Sequence, residues 1–204
     1  MAKIKNQLNN YPDSRVLRTL SNILSPFILN IFVFGAISLK VCSTLREAAL
    51  IFGVSFFFQS LFPVLYLFGA LKKGVIQDIH LFRKRDRRLV FPVLVINYLC
   101  AYLVLYFLNA PLLIIGLTLI TAVLTLLIWL INGFYKISVH VVGIAAILTG
   151  IFFAFGPSSY FLEILLPIVC WVRFRTGAHI LSQMITGAIL GHGLTYLLLK
   201  LILV

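Results

Sequence analysis

Seven apolar stretches, separated by short polar breaks, run along this chain at about 22–40, 48–71, 89–109, 111–132, 138–155, 159–172 and 179–203. A membrane-spanning helix takes roughly 20 mostly apolar residues. The pattern therefore predicts an all-α, polytopic membrane bundle of about six or seven transmembrane helices. The breaks carry residues that end or bend helices. Pro26 stands near the start of the first stretch, and Pro63 kinks the second, which a bundle tolerates. Asn109-Ala110-Pro111 makes a tight turn, and Gly156-Pro157-Ser158-Ser159 makes another. Residues 1–21 read as a polar tail and 22–204 as one transmembrane domain. More than 20 mostly polar residues precede the first apolar run, which is long for a secretory signal, so that run is expected to be retained as a helix.

Composition agrees with the pattern. The 204 residues are 62% hydrophobic and 11% charged, with a mean hydropathy of +1.10. A soluble domain does not have this balance. Seventeen Lys and Arg stand against five Asp and Glu, a formal net charge of +12. A strongly basic balance points to nucleic acid, anionic headgroups or a phosphorylated substrate. Confinement of the cations to short loops between apolar stretches argues against nucleic acid. Cys42, Cys100 and Cys170 are far apart, show no CxxC spacing, and predict neither a disulfide nor a zinc site.

Counting membrane crossings brings the polar residues with chemistry to one side. If all seven stretches cross, the loop 72–88, the entry to the fifth stretch at 136–140 and the segment 173–179 share one membrane face. The first holds Arg83-Lys84-Arg85-Asp86-Arg87-Arg88, a cationic cluster suited either to anionic lipid or to a phosphate, with Asp86 ordering an arginine. The second reads Lys136-Ile137-Ser138-Val139-His140. Lys136 and Ser138 can donate to an anion, and His140 can carry a proton. Its alternative role is a helix entry with Ser138 as N-cap and Lys136 snorkelling. The third holds Arg173, whose guanidinium suits a phosphate, and His179, a candidate nucleophile near neutral pH. Gln183, four residues on, would share a helical face with His179 and orient its ring.

Arg173-x5-His179-x3-Gln183, following Lys136-x-Ser138-x-His140, resembles the motifs of the type 2 phosphatidic acid phosphatase superfamily. The second motif of that family is Pro-Ser-Gly-His, and the third is Ser-Arg, five residues, His, three residues, Asp. Lys84-Arg85-Asp86-Arg87 is similar to the Arg-x-Glu-Arg first motif of a bacterial and archaeal branch. The resemblance covers roughly residues 78–195. It departs from the family in lacking the Pro and Gly of the second motif, in Val172 before Arg173, and in Gln183 where Asp is expected.

The resemblance implies a metal-independent, cofactor-free membrane phosphatase acting on a lipid phosphate or an isoprenoid (polyprenyl) diphosphate. Lys84, Arg85, Arg87, Lys136, Ser138 and Arg173 would bind the phosphate. His179, held by Gln183, would form a phosphohistidine, and His140 would serve as acid and then base. A glutamine fixes a tautomer but stabilises an imidazolium less than a carboxylate does. Two other classes therefore stand beside the enzyme: a catalytically weak lipid-phosphate-binding protein, and a phospholipid transporter. A bis-histidine haem between His140 and His179 is disfavoured, since it gives Arg173 and Ser138 no part. His192, in the last stretch, reads as a packed, hydrogen-bonded histidine away from the site. Gly187 and Gly191 read as helix-packing residues. Glu163 is expected near the opposite surface, and Asn97 is expected to bond to a neighbouring helix.

Orientation follows from the cations. The side with the motifs carries 14 of the 17 Lys and Arg, and the other side carries Lys40, Arg46 and Lys200. Positive residues favour the cytoplasmic face, so the N-terminus and the site are expected there in a cell membrane. In a variant lacking the native cysteines, Asn9→Cys should resist a membrane-impermeant thiol reagent in intact cells and react after permeabilisation. Labelling of intact cells would reverse the orientation.

Overall fold

Proline and glycine set the boundaries of nearly every element. The computed structural model describes residues 14–77 and 84–203, and among these it is helical with short connections and no strand. The helices are α1 (Ser14–Ile23), α2 (Pro26–Val41), α3 (Leu45–Phe56), α4 (Phe62–Lys72), α5 (Lys84–Phe107), α6 (Leu112–Ile131), α7 (Val139–Phe155), α8 (Leu165–Arg175) and α9 (Leu181–Leu203). A π-helical turn, Phe57–Leu61, joins α3 to α4, and a 3₁₀ helix, Pro157–Ile164, leads into α8. Of the cations counted above, Lys3, Lys5 and Arg83 lie outside the described residues, as do the side chains of Arg15, Arg18 and Lys84.

Among the described residues, five continuous helical runs are long and apolar enough to cross a membrane: Leu45–Lys72, Arg85–Phe107, Leu112–Ile131, Pro157–Arg175 and Leu181–Leu203. The other two apolar helices, α2 and α7, have 16 and 17 residues. Large apolar side chains face outward, among them Phe32, Phe107, Ile189 and Leu201. Such exposure suits a lipid environment rather than water.

Three boundaries differ from the sequence expectation, each for a local reason. The first apolar stretch does not run unbroken from 22. Ser25 is extended (φ −69°, ψ 137°) because Pro26 disfavours helical backbone in the residue before it. Part of the polar tail thus becomes a separate helix, α1. The third stretch starts at Lys84 rather than 89, so the helix takes in the cationic cluster. Asp86 in its first turn suits the positive helix end and accepts the Gln77 N–H at 3.1 Å. The sixth stretch extends to Arg175, so Arg173 stands in a helix and not in a loop.

Pro63 is accommodated by the π turn before it. Phe62 N–H reaches back to the Phe57 carbonyl, and Pro63 has no N–H to offer. That shift leaves the Phe58 carbonyl without a helical donor, and Asn97 Nδ2 of α5 supplies one at 2.8 Å. Asn97 thus bonds across helices as expected. On the same turn, Ser60 donates to the Phe27 carbonyl at 2.7 Å, which ties it to α2.

Helices α7 and α9 approach closely. A β-carbon at Gly191 would stand 2.5 Å from the Val142 carbonyl oxygen and 2.6 Å from the Ala145 β-carbon. At Gly187 it would stand 3.2 Å from the Ser138 carbonyl oxygen. Backbone meets backbone here as small residues allow. Gly191→Ala should force the helices apart and lower stability by about 1–3 kcal/mol, whereas Gly53→Ala, with nothing near its β-carbon, should be neutral or stabilise by up to about 1 kcal/mol. Thermal unfolding in detergent measures both. Equal effects would mean that the α7–α9 approach is not tight.

Candidate functional site

Alternating helix directions bring the start of α5, the end of α6, the start of α7, the end of α8 and the start of α9 to one end of the bundle. The turn after α8 makes this possible. Gly177 has φ +65°, a backbone that L side chains rarely adopt, and it ends the helix just beyond Arg173. His179 follows in the connection, so it does not share a regular helical face with Gln183 as expected. Its Nδ1 lies 3.0 Å from Gln183 Oε1 across the N-terminal turn of α9. The Ile180 N–H approaches the same oxygen at 3.4 Å. A backbone N–H can only donate, so the shared atom is the amide oxygen, and His179 Nδ1 carries the proton. Nε2 is left with its lone pair. Gln183 thereby orients the ring and caps the helix start, as the third residue of a capping box does.

Arg87, buried in the first turn of α5, is fixed by the end of α6. Its Nη1 donates to Asn132 Oδ1 at 2.6 Å and to the Ile137 carbonyl at 3.3 Å. Asn132 is itself turned by a bond from Nδ2 to the Ile128 carbonyl at 2.7 Å. Arg85, one residue before Asp86, is exposed. Of the two described cations from that motif, Arg87 alone meets the other site residues. Lys136 does not snorkel freely: its Nζ donates to the Ala178 carbonyl at 3.0 Å. Ser138 occupies the N-cap position of α7, but its hydroxyl makes no capping bond. Its Oγ is fully buried with no hydrogen-bond partner among the described residues. The Ser138 N–H meets the Gln183 carbonyl at 3.4 Å, which links the two histidine segments directly. His140, two residues on, is half-buried.

Arg173 is 3% exposed, and its Nη1 donates to Ser21 Oγ at 3.0 Å. Val172, where the resemblance expects serine, points its buried side chain into the bundle. The hydroxyl beside Arg173 comes instead from α1, far away in sequence. Ser21 and Asn132 were not legible beforehand, since neither lies in a motif. The one local signal was the Asn132-Gly133 pair, which marks a turn rather than a site.

The cationic end opens into a cavity of about 500 Å³. Arg87, His140, Arg173 and His179 line one end, and the rest is mostly apolar, with Phe34, Leu67, Leu94, Leu117, Ile120 and Leu124 among its walls. Along α5 the lining runs from Arg87 to Tyr98, which at 1.5 Å per residue is a depth of about 16 Å. Among the described residues, no three His, Cys, Asp or Glu side chains are placed to hold a metal ion. His192 is hydrogen-bonded away from this end, Nδ1 to Thr149 Oγ1 at 2.8 Å, and its Nε2 lies 3.4 Å from Glu163.

Electrostatics at this end favour an anion. Burial lowers the Lys136 ammonium below its usual range, and the nearby Arg87 and Arg173 charges lower it further. His179 is pushed down to about 3, first by burial and then by Arg173, Lys136 and Arg87, while its bond to Gln183 opposes the shift. The imidazole is therefore neutral in the absence of a ligand. An incoming phosphate would relieve the repulsion among the cations and raise the basicity of His179. Compared with known proteins, the chain matches no family model, no curated protein and no solved structure.

The depressed His179 value carries a stability consequence. Unfolded, the ring titrates near 6.5; folded, it titrates near 3. Between those values the unfolded chain binds more protons, so stability falls as pH is lowered through that window. His179→Asn should flatten this part of the stability curve. Thermal unfolding in detergent at pH 7 and pH 5 is the measurement, and an unchanged pH slope would mean that His179 is solvated.

Proposed function

We propose that this protein is an integral-membrane phosphatase that hydrolyses a lipid phosphate or an isoprenoid diphosphate. In this reading it is a divergent bundle of the type 2 phosphatidic acid phosphatase kind, with seven membrane crossings and a cytoplasmic site. The observation that carries the proposal is the cavity. It joins an apolar chamber to a cluster of cations in which a neutral imidazole is held in one tautomer. A tail and a phosphate on one molecule fit both parts at once.

The reaction follows from these groups. Arg87, Lys136 and Arg173 hold the phosphate oxygens, and the Ser138 hydroxyl donates to one of them. Charge spread over those oxygens in the transition state is met by donors already in place. His179 Nε2 attacks phosphorus, and the bond to the leaving oxygen breaks. His140, protonated, gives its proton to that oxygen and becomes neutral. Water then attacks the phosphohistidine, the N–P bond breaks, and His140 takes the water proton. Inorganic phosphate leaves, and both histidines are back in their starting forms.

Gln183 favours a second reading, a lipid-phosphate-binding protein with weak catalysis. A neutral amide orients His179 but does not offset the positive charge of a phosphorylated ring as a carboxylate would. The two readings part at the covalent intermediate. With an aryl phosphate, whose leaving group needs little protonation, purified His140→Ala should accumulate an acid-labile, base-stable phosphoryl group on His179 in the presence of a chelator. His179→Ala and the double variant should show none, and Gln183→Ala should form less. Absence of both label and hydrolysis would favour the binding reading. Label on His140 would reverse the assignment of roles.

A further inference from the structure

We propose that Ser21, on the N-terminal helix α1, is part of the phosphate site: it positions Arg173 and donates its own hydroxyl proton to a substrate oxygen. This rests on the phosphatase reading of the cavity. The geometry is specific. Ser21 Oγ accepts from Arg173 Nη1 at 3.0 Å, with the two residues 4% and 3% exposed. A serine hydroxyl is both acceptor and donor. Having accepted from a guanidinium, it retains a proton with no acceptor among the described residues. A cation on its lone pair also makes that O–H a stronger donor. The next residue, Asn22, lines the cavity, as does Ser25. Ser21 itself is buried beside the cavity, between the lining residue Asn22 and its partner Arg173, which also lines it.

The helix that carries Ser21 is placed by its own pattern. Leu17 is buried with Ser21, one turn apart, while Val16 and Ile23 are exposed. Leu24 packs into the small core cluster around Val141, Val169 and Met184. The same helix carries Arg15 and Arg18 in its sequence. An amphipathic helix with exposed apolar residues and cations suits the plane of lipid headgroups. There it holds one side of the site at the level where a lipid phosphate lies. Serine is also the fitting choice at 21. A carboxylate would pair with Arg173 and exclude phosphate, and an alanine would leave a buried guanidinium bond unmade.

The test uses the full chain in lipid nanodiscs with two readouts. The first is hydrolysis of a lipid monophosphate. Ser21→Ala should lower kcat/KM about tenfold, as expected for one hydrogen bond to a charged group, with the larger part in KM. Ser21→Thr should restore most of it, and Ser21→Asp should lose about a hundredfold by filling Arg173 with a carboxylate. The second readout needs no substrate. In protein labelled at histidine, NMR of the His179 ring should show its titration moving up in Ser21→Ala and in Ser21→Asp, because Arg173 is loosened or neutralised, and staying in place in Ser21→Thr. Wild-type kcat/KM together with a wild-type His179 titration in Ser21→Ala would overturn the proposal. If wild-type protein neither binds nor hydrolyses the lipid phosphate, the phosphatase reading fails and the donation to substrate falls with it. The titration then decides the positioning of Arg173 alone, and an unmoved titration overturns that too.

Discussion

The contact on which the site depends is the backbone approach of α9 to α7. Its walls are Gly187 and Gly191 on one helix and the carbonyls of Ser138 and Val142 on the other. This pairing sets two histidine-bearing segments side by side. His140 rides on α7, and His179 is tied to the first turn of α9 through Gln183. The Ser138–Gln183 backbone bond then locks the two segments at the level of the site. Larger residues at 187 and 191 would move the histidines apart before they disturbed any charge. Packing one or two turns below the site thus governs its chemistry.

The cationic end shows how a membrane bundle keeps charge at depth. Arg87 is buried, yet it meets Asn132 and a backbone carbonyl; Lys136 meets the Ala178 carbonyl; Arg173 meets Ser21. These oxygens are neutral, and each helps to solvate a buried charge. At the other end of the bundle His192 sits against a carboxylate, Glu163.

Much of this was legible in the sequence because the signals are periodic or covalent. Seven apolar stretches gave the helices, and crossing parity brought Arg87, Lys136, Ser138, His140, Arg173 and His179 to one end. Pro63 and Asn97 were each visible, though not that they were partners through the Phe58 carbonyl. What escaped was of two kinds. Boundaries moved where a local rule outweighed hydropathy, as at Ser25-Pro26 and at the charged start of α5. The neutral partners escaped because an asparagine or serine in contact with an arginine has no sequence spacing to betray it. Ser21 and Arg173 meet only because α1 folds back onto α8, and that depends on Leu17 and Leu24 finding apolar neighbours.

The short helices have a consequence for the bilayer itself. With 16 and 17 residues, α2 and α7 are about 24–26 Å long, while the hydrocarbon layer is about 30 Å thick. The run from Pro157 to Arg175 has 19 residues but begins as 3₁₀ helix, whose rise of about 2.0 Å per residue stretches it to roughly 32 Å. Both short helices line the cavity. If α2 and α7 cross the membrane, as proposed, local thinning of the bilayer is one way to accommodate them, at a cost of fractions of a kcal/mol per ångström. Such thinning would draw the headgroup layer toward the cations and shorten the lift that a lipid phosphate would need to reach them. For the phosphatase proposed above, hydrophobic mismatch would then make turnover sensitive to membrane thickness, faster in thin membranes than in thick ones, with no residue of the site altered.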